Sequence, residues 1–249
     1  MGLSCIENEE KYLITSGASA GLSAAFNAPL SGVMFALEEA HKNFSPLVLL
    51  SAMIASLTAD FVSKQFFGII PSLRFEGMIS LPLKYYWTLI ILGVTIGISG
   101  VLFNKGILKT QSMFKNSKLS TEVKIIIPFI VTGIIGITAP ILLGGGHSLI
   151  ISLQESNLTI TMLLIFIIIK FIFTFVCFGS GVPGGIFFPL LTLGALVGNI
   201  VGLISVLYLG VPSIYLVNFI VIAMAGHFAA IVKAPITAII LISEMTGSL

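Results

Sequence analysis

Apolar residues run along this chain in long, nearly unbroken tracts, cut at intervals by proline, glycine and short polar clusters. Tracts bounded by such breakers predict helices over 11–26, 29–41, 46–67, 84–109, 123–143, 160–178, 186–208, 213–231 and 235–246. The opening segment carries Glu7, Glu9 and Glu10 and reads as a polar lead-in. It lacks the basic stretch that begins a signal peptide. The helices at 29–41 and 235–246 are too short to cross a bilayer alone, since a span takes about 20 residues.

Composition turns these tracts into membrane segments. Of 249 residues, 57% are hydrophobic and 9% charged, whereas soluble domains carry about 25% charged residues. No Asp, Glu, Lys or Arg lies between Lys170 and Lys233, a stretch long enough for two or three full or partial crossings. Short or broken helices lie at membrane depth only where protein buries them or they line a cavity, a pattern of transporters more than of simple bundles. Lys105, Lys109, Lys115, Lys118 and Lys124 face a single acid, Glu122, so residues 104–124 read as a cytoplasmic loop and 68–84 as external. Tyr85, Tyr86 and Trp87 read as interfacial aromatics opening the next helix. The net charge of +2 and the want of a basic aromatic stripe exclude a nucleic-acid partner. Cys5 and Cys177 read as two free thiols.

One segment repeats. Pro29-Leu30-Ser31-Gly32 is followed by Glu38, and Pro235-Ile236-Thr237-Ala238 by Glu244, with the same spacing from proline to glutamate. A helix rich in small residues precedes each copy, Ala18–Ala25 and Ala223–Ala230. The match favours a repeat architecture but leaves open whether the copies are inverted.

Two motifs offer chemistry. Gly179-Ser180-Gly181-Val182-Pro183-Gly184-Gly185-Ile186-Phe187-Phe188-Pro189 is a flexible loop entering an apolar helix. Such a helix start leaves several N–H groups unpaired and carries about +0.5 charge. An anion can accept those hydrogen bonds, and without a neighbouring cation it would not be held too tightly to leave. The bland alternative is a tight turn that packs helices. The second motif is Ala25-Phe26-Asn27-Ala28-Pro29, which leads to the adjacent acids Glu38 and Glu39. These project about 100° apart on a helix, so one can face the interior and the other water. A buried carboxylate there could carry protons; the alternative is a solvated helix end neutralised by His41 and Lys42. Lys170 reads as snorkelling or paired, Gly144–His147 as a turn with a capping imidazole, and His227 as a packed neutral ring. No metal cluster, phosphate loop or dinucleotide fingerprint is present, and no cofactor is expected.

These residues resemble the CLC family of chloride channels and proton/chloride exchangers. The loop at 179–189 resembles its G-x-F-x-P anion-binding segment, and residues 25–39 its A-F-N-A-P-L-[AS]-G-x-x-F-x-x-E-E segment. Lys233-Ala234-Pro235-Ile236-Thr237-Ala238 with Glu244-Met245-Thr246 resembles R-A-P-L-T-G and E-M-T, and Gly144–Gly146 a glycine-rich turn of the family. The resemblance implies an all-α integral membrane protein with the inverted-repeat fold of short, broken and tilted helices. It implies one transmembrane domain, with 11–67 ending an incomplete first repeat and 84–249 forming most of the second, and no soluble regulatory domain. It implies chloride bound by backbone N–H groups of Gly185, Ile186 and Phe187, a proton pathway through Glu39 with Glu38 beside it, and no catalytic or metal residues. Family channels commonly lack an acid at the position of Glu39, which favours exchange. The implied partners are chloride, protons, the lipid bilayer of the plasma membrane and a second copy in a homodimer.

The family's G-K/R-E-G-P segment with the external gating glutamate, its early G-S-G-I-P segment and its last helices have no match here. The expectation is a chain truncated at both ends, which takes those segments from another polypeptide or else does not transport. A passive voltage-gated channel is the near alternative. An intramembrane serine protease using Ser180 and His227 is the remote one, because neither histidine has an evident orienting acid.

Overall fold

The computed structural model describes residues 2–42, 44–68, 73, 75, 78–155 and 158–247, with side chains from Glu10 onward except that of Glu155. Every regular element among the described residues is helical: α1 (Gly2–Phe26), α2 (Pro29–Phe35), α3 (Pro46–Phe67), α4 (Trp87–Asn116), α5 (Thr121–Thr138), α6 (His147–Glu155), α7 (Ile160–Gly179), α8 (Phe187–Tyr208), α9 (Leu216–Val232) and α10 (Pro235–Thr246). Prolines open α2, α3 and α10 at the first turn, where the missing N–H costs nothing. Among the described residues six stretches are long and apolar enough to cross a membrane: Pro46–Phe67, Trp87–Asn116, Thr121–Thr138, Ile160–Gly179, Phe187–Tyr208 and Ser213–Val232.

Four expectations change. The polar lead-in is helical from Gly2 onward. The lysine segment is not a loop before Asn116: α4 runs for 30 residues, about 45 Å, against a hydrocarbon core of about 30 Å. Its surplus length carries the exposed Lys105, Lys109 and Lys115 beyond the apolar stretch. The helix foreseen over 123–143 ends at Thr138, because Ala139 leaves helical geometry at φ −149°, and a single 3₁₀ turn follows at Pro140–Leu142. His147, expected to cap the turn Gly144–His147, instead begins α6, a helix of nine residues that the sequence did not predict.

The chain folds as two compact units, residues 1–76 with 232–249, and residues 77–231. In the first, α1 and α3 lie side by side with α2 packed against both. A Cβ on Gly32 of α2 would meet Ser19 O at 2.6 Å and Ser56 Oγ at 2.9 Å, so only glycine fits. Serine hydroxyls stitch the contact: Ser23 donates to Ser56 O at 2.9 Å, Ser56 to Pro29 O at 2.6 Å and Ser63 to Ala24 O at 3.0 Å. Small residues and interhelical hydroxyl bonds replace the hydrophobic drive that lipid does not supply.

α10 joins this unit antiparallel to α2. The N–H groups of Leu30 and Ser31 donate to Glu244, near the end of α10, at 3.0 and 2.8 Å. The N–H groups of Ile236 and Thr237 donate to Glu38, just past the end of α2, at 3.3 and 2.7 Å. Start meets end in both directions, so the repeat at Pro29 and Pro235 is inverted.

In the second unit α8 is buried along most of its length. Gly194, Gly198 and Gly202 form a stripe at every fourth residue against α9. A Cβ on Gly194 would lie 2.7 Å from Ala223 O, and one on Gly198 would lie 2.4 Å from Phe219 O. Leu92 and Ile96 of α4 close a core with Val197, Val201, Phe219 and Ala223.

Candidate functional site

α7 ends at Gly179, and Gly181 turns the chain at φ +81°, a conformation that favours glycine. Ser180 serves this turn: its hydroxyl donates to Cys177 O at 2.7 Å and accepts from Val182 N–H at 3.4 Å. Ser180 and His227 do not pair. Ile186 then caps α8 at φ −84°, ψ −16°, and Phe187 is the first helical residue. Gly185, Ile186 and Phe187 thus sit together at the start of α8. Among the described residues, the N–H groups of Gly185 and Ile186 have no protein acceptor. A Cβ at Gly184 or Gly185 would meet nothing within 4 Å, so these glycines leave open space over the backbone.

A second layer fixes that helix start. Lys170 of α7 is wholly buried and neither snorkels nor meets an acid. Its ammonium donates to Leu142 O at 3.0 Å and Gly144 O at 2.8 Å, pinning the glycine turn to α7. The turn packs on α8: a Cβ at Gly145 would lie 2.5 Å from Phe188 Cβ, and one at Gly146 would lie 2.4 Å from Thr192 Oγ1. Thr192 is buried and bridges Gly145 O at 2.8 Å and Phe188 O at 2.9 Å. The nearest cation in this layer is therefore spent on carbonyls. A cavity of about 260 Å³, lined by Thr132, Gly144, Thr174, Cys177, Gly184 and Gly185, lies beside the loop.

A third tie comes from α9. His227 is fully buried; Nδ1–H donates to Leu190 O at 2.9 Å, so Nε2 of the neutral ring accepts from the Ser99 hydroxyl at 3.1 Å. Phe103 meets the imidazole edge-on at 6.2 Å between centroids. The packed imidazole expected from the sequence is present, and its partners hold the start of α8 to α4 and α9. Neither Ser99 nor Thr192 was legible as part of this arrangement, since small hydroxyl residues in apolar tracts carry no distinguishing pattern.

The adjacent acids part company in the first unit. Glu38 accepts three hydrogen bonds, from Ile236 N–H, Thr237 N–H and the Thr237 hydroxyl at 2.8 Å. Glu244 does the same for Leu30 N–H, Ser31 N–H and the Ser31 hydroxyl. Acids here do not oppose their own helix dipole to no purpose; each meets the positive end of the other helix. Glu39 instead borders a cavity of about 270 Å³, shared with Leu37, Lys42, Phe44, Val232 and Lys233. Its carboxylate lies 3.9 Å from the Lys42 ammonium. His41 stacks on Tyr12 at 5.4 Å rather than pairing with either acid. Glu244 and Thr237, legible in the sequence only as members of the repeat, are the partners that Ser31 and Glu38 meet.

The profile of the family described as "Voltage gated chloride channel" matches residues 2–249. The chain belongs to that family. Among curated relatives, the H(+)/Cl(-) exchange transporter ClcA of Yersinia pestis bv. Antiqua (strain Angola) is 38% identical over 242 residues, covering 95% of this chain and 51% of the relative. The transporter of the same name from Salmonella typhi is 35% identical over 243 residues, with the same coverage of 95% and 51%. A slow cyanobacterial Cl-/H+ antiporter of known structure superposes with a TM-score of 0.83 at 32% identity, over 95% of this chain and 56% of that one. A CLC-type fluoride/proton antiporter shares the fold, with a TM-score of 0.77 at 23% identity over 95% and 58% of the two chains. The chain spans about half the length of the curated relatives it matches. Family membership and six apolar spans make it a multi-pass integral membrane protein.

Proposed function

We propose that this chain forms part of a proton-coupled chloride exchanger. The observation that carries the anion half is the start of α8. Two N–H groups without protein acceptors stand there at the positive end of a long buried helix, above open backbone. Chloride would exchange part of its hydration shell for N–H dipoles of Gly185, Ile186 and Phe187. With Lys170 committed to Leu142 O and Gly144 O, its charge is not left to hold the ion in place, which suits release as much as binding.

The proton half rests on Glu39. Glu38 has both carboxylate oxygens engaged by α10, whereas Glu39 borders a cavity and lies near a mostly exposed lysine, Lys42. The relatives named as H(+)/Cl(-) exchange transporters favour this reading over a passive channel. The relatives' remaining length has no counterpart within these 249 residues, so the transporting assembly is this chain together with the segments that complete the path. We place that assembly in the plasma membrane as a homodimer.

The test is chloride efflux with simultaneous pH recording from liposomes holding the complete assembly. Glu39→Gln, which keeps size and polarity but cannot ionise, abolishes uphill proton movement and leaves a chloride leak. Proton movement that persists unchanged in this variant overturns the role of Glu39.

A further inference from the structure

The two inverted copies match in chemistry until their last turn. Each opens on proline, places a hydroxyl two residues on (Ser31, Thr237) and a carboxylate nine residues on (Glu38, Glu244). Each carboxylate caps the other helix. The copies differ in the residue that follows. After Glu244 comes Met245, fully buried. After Glu38 comes Glu39, with its side chain 32% exposed.

The backbone differs at the same place. α10 continues as an α-helix to Thr246 and stops on Gly247 in the left-handed region. Ala36–Ala40 instead winds as a π-helical turn, closed by His41 N–H donating to Ala36 O at 2.8 Å. A π turn inserts one residue into the helical path and redirects every side chain after it; such turns concentrate at functional sites. An undisturbed α-helix would carry residue 39 toward the side on which its counterpart Met245 is buried. The widened turn sends it to the cavity shared with Lys42 and Lys233.

A π turn is less favourable than the α-helix it interrupts, so something must hold it. Glu38 lies in the middle of it, anchored by three donors on α10. We propose that Glu38 is a positioning residue rather than a proton carrier: its bonds to Ile236 and Thr237 hold the π turn and thereby aim Glu39 into the cavity. This rests on Glu39 as the proton-passing acid. It replaces the expectation that both adjacent glutamates form the pathway. Gln at position 38 would set an NH₂ donor against one of the two N–H donors of α10, while Val at position 237 removes the hydroxyl alone. The graded pair separates the strength of the anchor from the charge that supplies it.

The experiment reads the direction of residue 39 without any need for transport. The full chain, with Cys5→Ser, Cys177→Ser and Glu39→Cys, is reconstituted in lipid and labelled with a charged, water-soluble thiosulfonate. Glu38→Gln slows labelling about tenfold, the population shift that accompanies loss of a hydrogen bond to a charged group. Thr237→Val slows it by a smaller factor. Glu244→Gln, which removes the mirror cap and the same number of bonds, leaves the rate within about twofold of the parent, because it does not touch the π turn. Equal slowing by Glu38→Gln and Glu244→Gln reduces both to general stabilisers and overturns the proposal. So does an unchanged rate in Thr237→Val, which decides the matter if Glu38→Gln fails to purify as a folded species. In the complete assembly, Glu38→Gln lowers the protons moved per chloride while chloride flux continues. An assembly in which Glu39→Gln has no effect on protons defeats the functional reading of Glu39, yet leaves the labelling result to judge the positioning role alone.

Discussion

The glycine stripe on α8 makes a sharp prediction about packing. A Cβ on Gly198 would lie 2.4 Å from Phe219 O, 2.6 Å from Ala223 Cβ and 2.9 Å from Ile220 Cα. Comfortable carbon contacts need about 3.5–4.0 Å, so Gly198→Ala forces α8 and α9 apart by about 1 Å. Two of the obstructing atoms are backbone, and no rotamer change moves them. Overpacking of this kind costs about 1–3 kcal/mol. Glycine-to-alanine exchange in a helix returns about 1 kcal/mol of propensity, and Gly97→Ala isolates that gain, since a Cβ on Gly97 of α4 meets nothing within 4 Å. The two variants carry the same chemical change and should differ in stability by about 1–3 kcal/mol, the overpacking term alone. At about 2–4 °C per kcal/mol for a chain of this size, their melting midpoints separate by about 2–12 °C. Intrinsic fluorescence during heating of the detergent-purified chain measures the difference. Gly198→Ala melting at or above Gly97→Ala would refute the close approach of α8 and α9.

Three further outcomes follow from the ties on α8. Thr192→Val, nearly the same shape, removes the hydroxyl bond to Gly145 O and lowers stability by about 1–2 kcal/mol in the same assay. Ser99→Ala strips Nε2 of His227 of its partner and costs about 1–3 kcal/mol, and Ser99→Ala added to His227→Leu costs less than the sum of the single changes, since the two share one bond. Ile186→Pro removes one N–H with little backbone strain, because Ile186 already sits at φ −84°, within reach of proline's range of about −65 ± 15°. It weakens chloride binding measured calorimetrically on the complete assembly without altering any side-chain charge.

Where proline marked a helix start, the sequence reading and the structure coincide: α3 over 46–67 and α10 over 235–246. The lysines of α4 misled because charge was read as loop, although lysine is a good helix former and the helix outruns the bilayer. α6 escaped because its nine residues include Ser, Gln and Glu and give too short a window for periodicity. The start of α8 was legible from Gly185 to Pro189, because glycine, proline and an apolar run announce a helix entry locally. The brace behind it was not. Lys170, Thr192, Ser99 and His227 reach partners 26 to 128 positions away, and no local pattern encodes that. The resemblance set Glu39 apart from Glu38 in the sequence, but the physical difference between them rests on a distant helix and an unsignalled π turn.

The crossed caps between α2 and α10 also set a timetable. Their partners stand 199 and 214 positions apart, so α1, α2 and α3 leave the ribosome long before α10 exists. With chain growth of about 5–20 residues per second, the intervening helices take about 10–30 s to make. Throughout that interval the start of α2 has no glutamate to accept its N–H groups, and Glu38 has no helix to hold. α1, α2 and α3 must wait in or beside the bilayer in a provisional arrangement until α10 arrives to close it. Synthesis that stops before residue 235 therefore leaves α2 uncapped as well as α10 unmade.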